Sequence, residues 1–199
     1  TYYVKAYAVN QLGQNFGNII SFTTKHLTLT GDILYNQDLN YGSVTDIEGN
    51  TYKTIVIGNQ TWMADNLRTT KFNNGNPIKN ITSNSSWISL ETPAYCWYNN
   101  DKATYGNTYG PLYNWYAVKT GKLCPKGWHV PSWDEMDELD IFLDNVGGKL
   151  KEIGTTHWLS PNIGATNEIG FTALPSNNGA QALWWISVNS YNGLAPVSV

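Results

Sequence analysis

The chain has 199 residues, of which only 14% are charged, and its 12 Lys and Arg against 15 Asp and Glu leave a net charge of −3. Ordinary soluble domains carry about 25% charged residues, so polarity here comes from amides and hydroxyls instead. No segment gathers bases into a stripe, which argues against a nucleic-acid partner, and no run of 18 apolar residues is present to span a bilayer as a helix.

Tyr2, Val4, Ala6 and Ala8 fall on one face of a period-two strand, residues 11–17 form a turn-rich link, and a second short strand covers 19–23. Residues 1–24 resemble the last two strands of a fibronectin type III domain, with Tyr2 as the corner tyrosine. The resemblance implies a β-hairpin remnant of a β-sandwich, one module in a string, with any export signal or lipid anchor upstream. Residues 25–41 read as a linker with one strand at 27–30.

A domain then runs over 42–199. Val44 to Ile47, Glu48-Gly49-Asn50 and Thr51 to Ile57 make a hairpin, because Gly49 and Asn50 tolerate the positive φ of a tight turn. Gly58-Asn59 turns the chain into a third strand, and a meander results. Residues 73–86, rich in Asn, Ser and Gly, are expected as a surface excursion. Residues 95–98 read as an aromatic strand, and Pro111 as the first turn of a helix over 111–118. Ser132-Trp133-Asp134-Glu135 is a capping box. Met136, Leu139 and Leu143 then repeat at helical spacing, so a helix is predicted over 133–145, stopped by Gly147-Gly148. Candidate strands at 149–153, 170–174 and 183–188 complete a pattern without βαβ alternation, which gives an α+β class.

With those residues in view, 42–175 resembles the Fibrobacter succinogenes major paralogous domain, a module of exported bacterial proteins. The ordered matches are Val44-Thr45-Asp46 with Gly49-Asn50, Ile57-Gly58-Asn59-Gln60 with Trp62-Met63-Ala64-Asp65-Asn66-Leu67, and Tyr109-Gly110 with Leu112-Tyr113-Asn114-Trp115. They continue with Cys124-Pro125, Gly127-Trp128-His129-Val130-Pro131-Ser132, Gly147-Gly148-Lys149-Leu150-Lys151 and Gly170-Phe171-Thr172-Ala173-Leu174-Pro175. The resemblance implies a C-type-lectin-like or sulfatase-modifying-factor-like fold of short antiparallel strands and two helices, on the bacterial surface or outer envelope. Two departures stand out. Met136 replaces a family Trp, and the family's closing Val-Arg-Cys segment has no counterpart after Ser187, which implies a domain truncated at its C-terminus.

The two cysteines, Cys96 and Cys124, are candidates to pair, with Cys124 left free as the alternative. His26, His129 and His157 are scattered, so a closed zinc site lacks its second ligand pair. Cys124 and His129 lie close enough in sequence for nucleophilic catalysis, but Pro125 argues against it. Asp134, Glu135, Asp137, Glu138 and Asp140 crowd one helix, which a cap and a solvated face explain better than a hydrolase pair. No catalytic residue and no metal ligand is therefore assigned. Calcium is the one ion the oxygen-rich Asn99, Asn100 and Asp101, or Asp65 and Asn66, could attract.

The remaining signal is aromatic: nine Trp and 13 Tyr. Trp62, Trp115 and Trp128 sit in family motifs where core packing is expected. Trp87, Trp97, Trp133, Trp158, Trp184 and Trp185 lie beside polar loops and are candidates for an exposed stacking platform. The expected ligand-binding set is Trp97, Tyr98, Asn99, Asn100, Asp101, Trp184 and Trp185. The expected function is non-catalytic binding or adhesion to a glycan or protein at the cell surface. The alternatives are a display domain with recognition loops at 73–86 and 99–107, or a degenerate relative of formylglycine-generating enzymes.

Overall fold

A computed structural model describes residues 2–10, 13–22, 32–176 and 179–187, the first two stretches by their backbone alone. The expected strand at 27–30 and the side chain of Tyr2 lie outside the described residues. Strand β1 (Tyr2–Asn10) pairs antiparallel with β2 (Gly13–Phe22), with a register shift between Lys5 and Tyr7. The second strand starts earlier than expected, because Gln14, Asn15 and Phe16 pair with Val9, Ala8 and Tyr7 through main-chain bonds that side-chain polarity does not forbid.

The predicted meander is present as β3 (Gly42–Thr45), β4 (Thr51–Ile57) and β5 (Gln60–Met63), antiparallel throughout. In its first turn Gly49 takes the positive φ, while Asn50 acts through hydrogen bonds instead. The Asp46 carboxylate accepts from Glu48 N, Asn50 N and Nδ2, and Tyr52 Oη. One acid thus closes the hairpin by saturating its turn.

A second sheet holds β6 (Lys79–Asn80), β7 (Ala94–Cys96) and β8 (Leu112–Tyr113), parallel at β6–β7 and antiparallel at β7–β8. The surface excursion over 73–86 contains β6 and the start of α1 (Asn84–Ile88), which Ser83 caps. The helix expected over 111–118 is only α3 (Trp115–Val118), since Leu112 and Tyr113 are taken by pairing with Cys96 and Tyr95. Asn114 explains the switch. Its side-chain oxygen accepts from Ala94 N on β7 and from Ala117 N in the first turn of α3, so one amide ends the strand and starts the helix.

Ser132 opens α4 (Trp133–Phe142) with both bonds of the capping box, as the sequence predicts. The stop comes earlier than predicted. Asp144 and Asn145 take the left-handed conformation at φ 57° and 59°, and Gly147–Lys149 form a separate 3-10 turn. Beyond it, Lys151 bridges Ala173, and Ser187 bridges Ser132, in place of the expected full strands.

Among the described residues, then, the class is mixed α+β, with small, mostly antiparallel sheets and four short α-helices, counting α2 (Lys102–Tyr105). Two apolar clusters hold it. Ile55, Ile57, Met136, Leu139, Leu143, Leu150, Trp158 and Phe171 form one, where α4 covers the meander. Ile78, Tyr95, Trp97, Tyr113, Val118 and Leu123 form the other, beneath the second sheet.

Candidate functional site

The segment after β7 is shaped by two consecutive left-handed residues, Asn99 at φ 51° and Asn100 at φ 58°. Asparagine tolerates that region better than most side chains, and both are exposed. Asn100 Nδ2 donates to Thr82 O at 3.0 Å, anchoring the turn. Asp101 then caps α2 by accepting from Thr104 N at 3.0 Å, and hydrogen bonding by Thr104 holds its carboxyl below the usual range.

Helix α2 delivers Tyr105, and the turn after it delivers Tyr109. Gly106 is required between them, since a Cβ there would sit 2.6 Å from Lys102 O and 3.3 Å from the Trp97 ring. Gly110 is required as well, at φ 70° with an added Cβ only 2.3 Å from Leu67 O. Asn66 Nδ2 donates to Tyr109 O at 3.2 Å. The motifs Asp65-Asn66-Leu67 and Tyr109-Gly110 are thereby explained: they lock together and fix Tyr109.

The result is a ladder of half-buried rings. Tyr98 meets Tyr105 edge to face with centroids 5.0 Å apart, Tyr105 meets Tyr109 at 6.1 Å, and Tyr109 meets His157 edge to face at 5.8 Å. Behind it, His157 Nδ1 lies 2.7 Å from Glu152 Oε2, both side chains fully buried. Glu152 Oε1 accepts from Leu34 N at 2.8 Å, while His157 Nε2 is buried without a hydrogen-bond partner. Burial first, then the Glu152 charge, pushes the Tyr109 hydroxyl up to about 12. It is a neutral phenol at physiological pH.

The sequence-predicted site residues separate into two groups. Tyr98, Asn99, Asn100 and Asp101 lie together at the outer end of the ladder. Trp97 does not join them: it is 7% exposed, edge to face with Tyr95, and covered by Lys102 Nζ at 5.4 Å from its ring. Trp184 packs on Phe171 at 5.5 Å in the first apolar cluster, and Trp185 packs on Trp115 at 6.1 Å in the second. Trp158 is buried too, and of the expected Trp platform only Trp133 is exposed. Trp97 is buried, and Trp184 and Trp185 are half-buried with each ring packed on a different core, so the three are not gathered into one exposed platform. Tyr105 and Glu152 carry no sequence signal, and Tyr109 stands out only as part of a family motif and His157 only as a scattered histidine, because their meeting depends on Gly106, Gly110 and a loop without regular structure.

Of the two alternatives for Cys96 and Cys124, paired or free, the structure has them as separate thiols. Neighbours along a strand face opposite ways. Tyr95 pairs with Tyr113 on one face of the second sheet, and Cys124 lies near Tyr113, whereas Cys96 points to the other face. Burial pushes the Cys124 thiol up to about 11 and raises that of Cys96.

Among the described residues no group of three or more His, Cys, Asp and Glu is placed to hold a metal. The Asp65 oxygens are engaged by Tyr35 Oη and Lys53 N, and Asn66 braces Tyr109, so that oxygen pair serves the fold. Nor is any described helix long and apolar enough to cross a membrane.

The fold and its ordered Gly, Asn and aromatic motifs define a small mixed α+β module. Residues 55–192, more than half of the chain, match the family described as the Fibrobacter succinogenes major domain, and the chain belongs to that family. Neither a curated protein nor a solved structure matches it.

Proposed function

We propose that this chain is a non-catalytic binding module of an exported bacterial surface protein, and that the Tyr98–Tyr105–Tyr109 ladder with its Asn99, Asn100 and Asp101 rim takes a neutral polar ligand, a glycan. The observation that carries this is the ladder itself: three half-buried tyrosine rings in mutual contact, ending at exposed amides. Tyrosine offers apolar ring area with a polar tip, which matches a sugar's C–H faces and hydroxyls. The amides add paired donors and acceptors without a charge to desolvate. The low charge of the chain supports this reading, as does the resemblance of its sequence motifs to a family with an expected lectin-like fold.

The test is binding of the folded protein to a panel of neutral oligosaccharides, followed by calorimetry on those retained. Tyr105→Ala is expected to weaken binding about tenfold or more, since a stacking ring contributes on the order of 1.4 kcal/mol. Asn99→Ala should weaken it less. Retention of no oligosaccharide, or equal binding by Tyr105→Ala, would overturn the proposal.

A further inference from the structure

Helix α4 buries Met136, Leu139 and Leu143 against the meander, so its opposite face should be wholly polar. It is not. Ile141 is 66% exposed on it, and Trp133 and Phe142 are exposed on its two flanks. Beyond the helix, Val146 is exposed and Ile163 stands 83% exposed. Scattered surface apolar residues are ordinary, but Ile141, Phe142, Val146 and Ile163 border two hollows at the end of one helix. A hollow of about 200 Å³ has Ile57, Gly58, Ile141 and Phe142 among its lining residues. Another of about 390 Å³ has Val146, Gly148, Lys151 and Ile163 among its own.

The charge along the helix is acidic, while Lys149 and Lys151 stand beside the second hollow and leave the surface net negative. Six acids, Asp134, Glu135, Asp137, Glu138, Asp140 and Asp144, fall within eleven residues that hold no Lys or Arg. Three of them have internal partners, Glu135 in the capping box, Asp144 with Lys149 at 3.4 Å, and Glu138, one oxygen of which accepts from Gln60 Nε2 at 3.1 Å. Asp134, Asp137 and Glu138 remain on the exposed face between Trp133 and Ile141.

We infer that the exposed face of α4, with the ridge of Ile141, Phe142, Val146 and Ile163, docks a cationic amphipathic segment of another protein. Its apolar side chains would fill the two hollows and its Lys or Arg would meet Asp134, Asp137 and Glu138. Charge decides among the occupants. A second copy related by a two-fold axis would set one acidic face against its equal, which is repulsive. An anionic lipid surface is repelled for the same reason. Within residues 1–199 the 12 Lys and Arg form no run that could serve as the occupant. This surface shares no residue with the tyrosine ladder, so either can fail without the other.

The probe is a labelled 18-residue peptide of Leu and Lys at helical spacing, titrated into the whole chain and followed by anisotropy. Two control peptides replace Lys by Glu or Leu by Gln. The Leu/Lys peptide is expected to bind, both controls at least tenfold more weakly, with affinity falling about tenfold from low to moderate salt as exposed charges are screened. Ile141→Ser with Ile163→Ser should weaken binding about tenfold, and because both side chains are exposed the thermal unfolding temperature serves as the check on folding. Asp137→Asn with Glu138→Gln should flatten the salt dependence while leaving some affinity. Equal binding of the Leu/Lys and Gln/Lys peptides, indifference to the Ile pair, or no binding at all would overturn the inference. So would concentration-dependent dimerisation that Ile141→Ser abolishes, since that places a second copy on the ridge.

Discussion

Glu152 and His157 are five residues apart in a stretch without regular secondary structure, yet their side chains meet in the interior at 2.7 Å. The loop that brings them together is itself pinned. Trp158 Nε1 donates to Ala173 O at 2.9 Å, and Asn162 Nδ2 donates to the carbonyls of Glu152 and Gly154. Glu152 also receives Leu34 N, so this one carboxylate ties the approach to the domain to its later half. Removing one member of a fully buried pair strands the other and costs about 3 to 5 kcal/mol. Glu152→Ala is therefore expected to lower unfolding stability in urea by about that amount, and Glu152→Gln, which keeps the acceptor oxygen, by less. A double-mutant cycle with His157→Ala separates the pair from the Leu34 bond, because only the former contributes a coupling energy. A loss under about 1 kcal/mol for Glu152→Ala would show that the pair is no brace.

Helix α4 shows how a local device couples to pH. Burial tends to raise the Glu135 carboxyl, but bonds from Ser132 N, Ser132 Oγ and His129 Nε2 outweigh it and hold the group below the usual carboxylate range. A depressed folded value means that the charged form supports the fold. The contribution is present above the unfolded value of about 4.3 and is lost as pH falls through the lower folded one. Glu135 is part-exposed, so solvent screening keeps its share small. Ser132→Ala should cost about 1 kcal/mol at pH 7. The gap between variant and parent in thermal melts should narrow as pH falls through the carboxylate range and Glu135 takes up its proton; a gap that stays constant across that range would assign the whole loss to the bond from Glu135 N to Ser132 Oγ. This helix start was legible because a capping box is complete within four residues. Its end was not, since Asp144 and Asn145 occupy the left-handed stop that glycine usually takes. The Leu112–Tyr113 strand was hidden for another reason: pairing with β7 is a long-range choice that overrides a helix-like Pro111 start. The candidate site divides the same way. The turn over Asn99 to Asp101 could be read from its own residues, whereas Tyr109 and His157 are joined only through Gly110, Leu67 and the buried Glu152.

At the scale of the whole molecule, the two apolar clusters are joined through residues 182–186. The alternation along this extended stretch decides the outcome: Ala182, Trp184 and Ile186 face the first cluster, while Trp185 faces the second and donates Nε1 to Tyr113 O at 3.0 Å. Ser187 then bonds to Pro131 O at 2.8 Å, beside the start of α4. Two adjacent tryptophans thus act as a staple between cores that are each too small to be stable alone. Truncating either should cost about 2 to 4 kcal/mol, given that both rings are half-buried. The kind of loss should differ. Trp184→Ala is expected to lower stability with fluorescence and far-UV circular dichroism still following one transition, because α4 and the meander remain packed around Phe171. Trp185→Ala removes the ring that meets Trp115 and the bond to Tyr113, so the two probes should separate as the second cluster melts first. Oligosaccharide binding measured well below either transition should be unchanged by Trp184→Ala, since that ring packs on Phe171 rather than on the tyrosine ladder. If Trp184→Ala instead abolished binding in a protein that still melts at the parent temperature, the ring would belong to the ligand surface and not to the core.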